Sequence, residues 1–145
     1  MFARGGPALP PLTPAPKVAD LPEPLVRNGC RYLGTLAGGQ RVRSKGLGSA
    51  GSARIQVSPE GVDVVRLAGS FRIPVTSLRS AREAAEFDGS VGPPGALVIR
   101  WEHGEQVLDS GFRLQVDVGS AAAIHRSWTR SVHKIARNVE GNTHG

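Results

Sequence analysis

Beyond residue 30, apolar and polar residues alternate along most of the chain with a period of two, the pattern of β-strands with one buried face. Ile55 and Val57, for example, alternate with Arg54 and Gln56. Runs of this kind, bounded by Gly, Pro and Ser turn residues, predict strands over residues 31–36, 53–57, 62–65, 71–73, 97–101 and 106–108. The last two strands should form a hairpin around residues 102–105.

Two segments between these strands have a less regular pattern. Residues 78–87 are a weaker strand candidate, because the run Ala81–Ala85 would also suit a helical turn. Residues 89–95 contain Pro93-Pro94 between glycines, and we predict a loop there. Together with residues 78–87, the predicted fold has about seven antiparallel strands.

The period changes near residue 117 to that of an amphipathic α-helix. Apolar residues then recur at spacings of three and four and share one helix face, namely Ala121, Ile124, Trp128, Val132 and Ile135. Asp117 or Ser120 would cap the helix, which should end between Asn138 and Gly141. A second stripe of the same helix is basic and consists of Arg126, Arg130, Lys134 and Arg137. One helix with one apolar face has to bury that face, and the open end of a bent sheet offers the place.

Composition divides the chain into three parts. Residues 1–28 hold seven of the 11 prolines, which favours an extended, disordered segment, either a linker or a P-x-x-P peptide ligand. We predict one domain over residues 29–139 and a disordered tail over residues 140–145. No segment approaches the roughly 18 consecutive apolar residues of a membrane span.

The net charge of +6 is concentrated in two places, the last helix and the segment 31–57, which contains no acidic residue. Within that segment, a glycine-rich connection of about 15 residues precedes the strand that begins near residue 53. Four cations in and beside this flexible connection are the candidate ligands of an anion, namely Arg41, Arg43, Lys45 and Arg54. The alternative is a solvated basic loop. The basic helix stripe likewise is either a wet helix face or a contact for an anionic membrane or nucleic acid.

Other kinds of chemistry find little support in the sequence. The run Gly46–Gly51 matches G-x-G-x-x-G, but no apolar strand precedes it and no helix follows, so we predict no dinucleotide site. His125 and His133 are two helical turns apart, too far to chelate one metal ion, and we predict neither metal nor cofactor. No catalytic motif is present, and the chain is predicted not to be an enzyme. Cys30 is either a small core residue or, beside Arg31, a reactive thiol.

Nucleic acid is disfavoured as a partner because the chain has few aromatic residues. The larger of them fall at positions that the strand and helix patterns assign to the core or its edge, namely Tyr32, Phe71, Trp101 and Trp128. Base stacking requires exposed aromatic side chains, and none is evident.

Several short segments resemble a family of actinobacterial pleckstrin-homology-like (PH-like) proteins. The similar segments, spread over roughly residues 31–137, are Tyr32-Leu33-Gly34-Thr35, Gly46-Leu47-Gly48, Ile73-Pro74, Leu97-Val98-Ile99-Arg100-Trp101-Glu102 and Leu108-Asp109-Ser110-Gly111-Phe112-Arg113. The resemblance implies a mainly β, PH-like fold, a bent sheet pair or barrel of about seven antiparallel strands capped by one C-terminal amphipathic α-helix. Eukaryotic members that bind phosphoinositides use basic residues around their first β-hairpin, and Arg41, Arg43, Lys45 and Arg54 occupy the analogous place.

Members of this family usually carry an N-terminal transmembrane helix, whereas this chain has its proline-rich stretch in that position. Either this member is soluble, or the true start lies upstream, or a partner anchors it. We therefore expect a cytoplasmic, membrane-associated binding or adaptor module whose partner is an anionic lipid headgroup or a membrane-associated protein. The alternatives are a soluble protein-interaction module that uses a sheet edge or the 97–108 hairpin, and an accessory component of an export or transport system.

Overall fold

A computed structural model describes the backbone of residues 9–144 and the side chains of residues 9–139. Within this part, the chain forms eight strands and one long C-terminal helix, with short 3-10 helices at Val18–Asp20 and Ser44–Gly46. The elements are β1 (Val26–Ala37), β2 (Gln40–Arg41), β3 (Gly51–Ser58), β4 (Gly61–Val65), β5 (Phe71–Pro74), β6 (Leu78–Phe87), β7 (Ser90–His103), β8 (Gln106–Leu114) and α1 (Val118–His144). The predicted mainly β fold with one C-terminal helix is confirmed, and the two-residue strand β2 is additional to the predicted set.

The strands form one antiparallel sheet in the order β5-β4-β3-β1-β8-β7-β6, with β2 paired to the end of β1. The two outer strands of this path, β5 and β6, are not hydrogen-bonded to each other within the described residues, so the sheet is bent but not closed. Residues 78–87, the weaker strand candidate, form strand β6. The predicted hairpin of β7 and β8 is also confirmed.

The inner face of the sheet and one face of α1 enclose the main core, and a smaller separate cluster consists of Leu33, Phe87, Ala96 and Val98. The bulkiest fully buried side chains of the main core are Trp101, Trp128, Tyr32, Phe71 and Phe112. The predicted apolar face of the helix is confirmed, since Ala121, Trp128, Val132 and Ile135 are buried and Ile124 is half-buried against them. The Trp128 indole also donates a hydrogen bond of 2.8 Å to Asn28 Oδ1, which ties the helix to the start of β1.

Cys30 lies on the inner face of β1 and is fully buried in the same core. Burial raises the pKa of its thiol to about 12. A thiol in this setting stays protonated near neutral pH, so of the two interpretations the small core residue is the one the structure supports.

The prediction of a loop over residues 89–95 was wrong. β7 begins at Ser90, and its first residues pair with β6 through Glu86↔Val91 and Phe87↔Ser90. The register then shifts, and the next pair is Ala84↔Ala96, so residues 92–95 bulge out of the ladder. Prolines lack a backbone N–H, and a bulge is where a strand tolerates them.

The helix is longer than predicted, since α1 continues to His144 instead of ending between Asn138 and Gly141. A glycine inside a helix costs only about 1 kcal/mol, which is too little to end it. Among the described residues, no helix combines the length and the apolar character needed to cross a membrane.

The described part of the proline-rich segment follows the sheet instead of leaving it. Leu9 is buried in the main core, and Thr13 O accepts the backbone N–H of Arg72 on the outer strand β5 at 2.8 Å. Further along, Pro22 O accepts a hydrogen bond from the Gln56 side chain. Both hydrogen bonds are accepted by backbone carbonyl groups, which proline retains, and so a high proline content does not exclude them. Residues 1–8 lie outside the described residues, and the domain boundaries at 28 and 139 stay predictions.

Removal of the Trp128 side chain tests whether α1 holds the core together. We expect Trp128→Ala to lower the free energy of unfolding by about 3–5 kcal/mol, because a large buried side chain is lost. Trp128→Phe should cost about 1–3 kcal/mol, since it mainly removes the hydrogen bond to Asn28. Urea denaturation followed by circular dichroism measures both. Arg130→Ala on the exposed side of α1 is the control and should stay within about 0.5 kcal/mol of wild type.

Candidate functional site

The predicted flexible connection before β3 is an ordered cover over one end of the core. We call residues 42–50 the lid. Leu47 at its centre is fully buried and packs in the main core, and Val42 is also buried. The Val42 backbone N–H donates to Thr35 O at 2.9 Å, so the lid is attached to β1 from its first residue. The expectation of a flexible loop was therefore wrong.

A chain of buried hydrogen bonds holds the lid from below. Tyr32 Oη donates to Leu47 O at 2.6 Å and lies 2.6 Å from Thr35 Oγ1, which lies 2.7 Å from Ser110 Oγ. Trp101 Nε1 donates to the same Ser110 oxygen at 3.0 Å. An indole N–H can only donate and a carbonyl can only accept, so every hydroxyl between them points the same way, toward Leu47.

Arg66 fastens the lid from a second side. Its guanidinium donates to Gly46 O at 2.9 Å and Ser49 O at 3.2 Å, and it lies 4.7 Å from the centre of the Tyr32 ring. Burial lowers the pKa of Arg66 from its ordinary value. No carboxylate among the described residues pairs with Arg66, so its charge is compensated by carbonyl dipoles and aromatic faces.

Arg41, one of the four predicted anion ligands, also fastens the lid. Its guanidinium donates to Gly48 O, to Leu33 O and to the Asp88 carboxylate, with which it forms an ion pair of 3.0 Å. The guanidinium lies over Gly34, where the Cβ of any other residue would collide with it. The fold thus accounts for Arg41, and its role as an anion ligand stays a prediction.

The other three predicted ligands, Arg43, Lys45 and Arg54, are exposed. Within the described part of the chain, none of them makes a side-chain hydrogen bond or an ion pair. Arg43 and Lys45 project from the lid, and Arg54 lies on the outer face of β3, just beyond the point where the lid joins that strand.

Arg31 is a fourth exposed cation near Arg54, and it was not among the predicted anion ligands. β1 and β3 pair through Gly29↔Arg54 and Arg31↔Ser52, which makes Arg31 and Arg54 diagonal neighbours on the outer face. Arg31 is also without a side-chain partner among the described residues. The signal in the sequence was its alternation with the buried Cys30 and Tyr32, but the pairing with β3 was needed to place it. We call Arg31, Arg43, Lys45 and Arg54 the basic face.

Nearby carboxylates do not neutralise the basic face. Residues 31–57 contain no Asp or Glu. On the neighbouring strand β4, Asp63 is buried in a bidentate pair with Arg72, with nitrogen–oxygen distances of 2.7 and 3.0 Å. This hydrogen bonding raises the pKa of Arg72. Asp88 pairs with Arg41, and so neither of these two carboxylates pairs with a cation of the basic face.

The basic helix stripe of Arg126, Arg130, Lys134 and Arg137 is exposed on α1, a different element from those that carry the basic face. Two of the histidines of α1, His125 and His133, lie against β6. His133 Nε2 accepts the Ala81 backbone N–H at 3.3 Å, and His125 Nδ1 lies 2.8 Å from Glu83 Oε2, outside hydrogen-bond geometry. The described residues contain no group of three or more side chains that would hold a metal ion.

The hydrogen bond from Tyr32 to the lid is tested by Tyr32→Phe. The variant leaves Leu47 O without its buried donor, and we expect the free energy of unfolding to fall by about 1–3 kcal/mol. Amide hydrogen exchange of the lid should speed up more than that of β7 and β8. Arg43→Ala, which removes an exposed side chain of the same lid, is the matched control. Equal lid protection in Tyr32→Phe and wild type would contradict the role given to the hydroxyl.

The burial of Tyr32 also predicts a pH dependence, which is measurable because Tyr32 is the single tyrosine of the chain. Burial raises its pKa from 10.0 to about 12. The fold therefore favours the protonated phenol, and this contribution to stability is complete below pH 10 and is lost as the pH rises toward 12. Tyrosinate absorbance should titrate about two units higher in the native protein than in urea. Coincident titrations would contradict the burial of this hydroxyl.

Comparison with known proteins agrees with this architecture. No curated protein sequence matches the chain. The bacterial PH domain-like family matches residues 9–133, a range that begins in the proline-rich segment and ends near the middle of α1. PH-like domains are in general binding modules without catalytic activity. The match covers most of the sequence, and the chain belongs to the bacterial PH domain-like family.

Proposed function

We propose that this domain binds the anionic surface of a membrane, at its cytoplasmic face, through the phosphate groups of lipid headgroups. The observation that carries the proposal is the basic face, in which Arg31, Arg43, Lys45 and Arg54 are exposed and have no intramolecular partner among the described residues. A cation beside an anionic membrane contributes about 1 kcal/mol. Four such cations together give a useful affinity even where no single headgroup pocket is formed.

The ordered lid supports this proposal. A flexible loop loses conformational freedom when it binds, and that loss weakens the binding. The lid that carries Arg43 and Lys45 is already fixed by Tyr32, Arg41 and Arg66, so the loss is small. The resemblance to PH-like proteins that usually carry a transmembrane helix also favours a site of action at a membrane.

The second hypothesis, a protein-interaction module without a lipid role, receives less support from the contacts at the sheet edges. Thr13 O already takes the backbone N–H of Arg72 on β5, and His133 takes the backbone N–H of Ala81 on β6. An added strand would have to displace these groups. The hairpin of β7 and β8 stays available to a partner protein. A role as an accessory component of a transport system also stays a hypothesis.

Sedimentation with vesicles tests the proposal. Wild type should bind vesicles of equimolar phosphatidylglycerol and phosphatidylcholine, and should bind phosphatidylcholine alone far more weakly. Each of Arg43→Ala, Lys45→Ala and Arg54→Ala should lower the partition coefficient about fivefold, and the triple variant about a hundredfold. These deficits should shrink as salt screens the charges. Unfolding free energies should stay within about 0.5 kcal/mol of wild type, because the side chains are exposed.

A triple variant on the helix stripe, with Arg126, Arg130 and Lys134 each replaced by Ala, is the matched control because it removes the same charge from another element. Equal losses in the two triple variants would mean that net charge, and not the basic face, sets the binding. Equal binding of wild type to neutral and anionic vesicles would overturn the proposal and leave the protein-interaction hypothesis in its place.

A further inference from the structure

The hairpin between β4 and β5 carries an apolar side chain that does not pack in the core. Leu67 has a relative exposure of 108 %, the highest among the exposed large apolar residues of the described part of the chain. It lies at the hairpin tip, residues 67–70, all of which are exposed. A leucine in this position gains nothing from folding, since its whole side chain stays in water.

The hairpin tip is held in place by its own hydrogen bonds. Arg66 Nε donates to Gly69 O at 2.6 Å, and the Ser70 hydroxyl accepts the backbone N–H of Arg66 at 3.1 Å. The Gly69 backbone N–H also donates to Arg66 O. Leu67 is thus presented to solvent by a braced turn, which keeps its side chain from folding back onto the sheet.

The hairpin tip that carries Leu67 lies next to two cations of the basic face, Lys45 and Arg54. On one side, the hairpin tip approaches the lid. The Ala68 carbonyl oxygen lies 3.6 Å from the position that a Cβ atom on Gly46 would occupy, and Gly46 is next to Lys45 in the lid. On the other side, β3 and β4 pair through Arg54↔Val65, so Arg54 is opposite a residue just before the hairpin tip. Arg66 bonds to both the lid and the tip, and it fixes their relative position.

We propose that Leu67 inserts into the boundary between headgroups and acyl chains of an anionic membrane, while the basic face contacts the phosphates around it. The inference rests on the proposed function and adds an apolar contact to it. Charge complementarity selects the membrane as the occupant, because an exposed apolar residue beside cations that have no partner among the described residues matches a surface that is anionic outside and apolar beneath. Binding at a membrane surface strengthens with the apolar area buried and with the electrostatic attraction to anionic lipids, so the two contacts add to each other.

The test compares Leu67→Ser with Val107→Ser in the vesicle assay with equimolar phosphatidylglycerol and phosphatidylcholine. Val107 is the control because it is a 47 % exposed apolar residue on a different hairpin, that between β7 and β8. Leu67→Ser should lower the partition coefficient about tenfold, as expected for removing one apolar side chain from a buried position. Val107→Ser should bind like wild type. Both variants should keep the unfolding midpoint of wild type, since both side chains are exposed.

Salt separates the two contributions. The tenfold deficit of Leu67→Ser should persist at high salt, whereas the deficit of Lys45→Ala should shrink. A second readout uses Leu67→Trp, whose added fluorescence should be quenched by lipids brominated on their acyl chains, beyond any quenching in wild type.

The outcomes distinguish the inference from the proposed function. If wild type prefers anionic vesicles and Leu67→Ser binds equally well, the inserted side chain is overturned and the electrostatic proposal stands. If wild type shows no preference for anionic vesicles, both fail. If wild type sediments as a dimer and Leu67→Ser as a monomer, the hairpin tip contacts a second copy of the chain, and the membrane inference is overturned.

Discussion

The one-way chain of buried hydrogen bonds under the lid is the constraint on which the rest of the site depends. The Trp101 indole can only donate and the Leu47 carbonyl can only accept, so the hydroxyls of Ser110, Thr35 and Tyr32 have one consistent arrangement. Without Leu47 in place, the last hydroxyl of the chain loses its acceptor inside the core, which costs about 1–3 kcal/mol. The lid is therefore part of the core, although its sequence has the composition of a loop.

Arg66 extends the same dependence to the hairpin tip. A buried guanidinium without a carboxylate is costly unless other groups stabilise its charge, and here the carbonyls of Gly46, Ser49 and Gly69 do so together with the aromatic rings. These carbonyls belong to two separate loops, so one side chain sets the distance between them. The hydrogen bonds of Arg66 therefore set the positions of Lys45 on the lid and Leu67 on the tip, although neither residue takes part in them.

The strands and the buried face of α1 were predictable because their apolar residues recur locally, with a period of two in the strands and about 3.6 in the helix. The order of the lid was not, because the bonds that create it join residues 15 or 20 positions apart. Charge counting also treats all cations alike. It could not separate Arg41 and Arg66, which the fold uses, from Arg43, which has no side-chain partner among the described residues. It also could not place Arg31 without the register of β1 against β3.

The two closures of the core determine where a ligand can bind. Along β1, α1 is tied to Asn28 and the lid to Tyr32 and Thr35, so helix and lid close different ends of the bent sheet. With both ends filled by side chains, the candidate surface is outside the core. The cations of the basic face, which have no partner in the part of the chain that the structure describes, do not stabilise the fold, because like charges on one face repel each other. An anion that binds them removes this repulsion, and by linkage it stabilises the folded chain as its concentration rises above the dissociation constant.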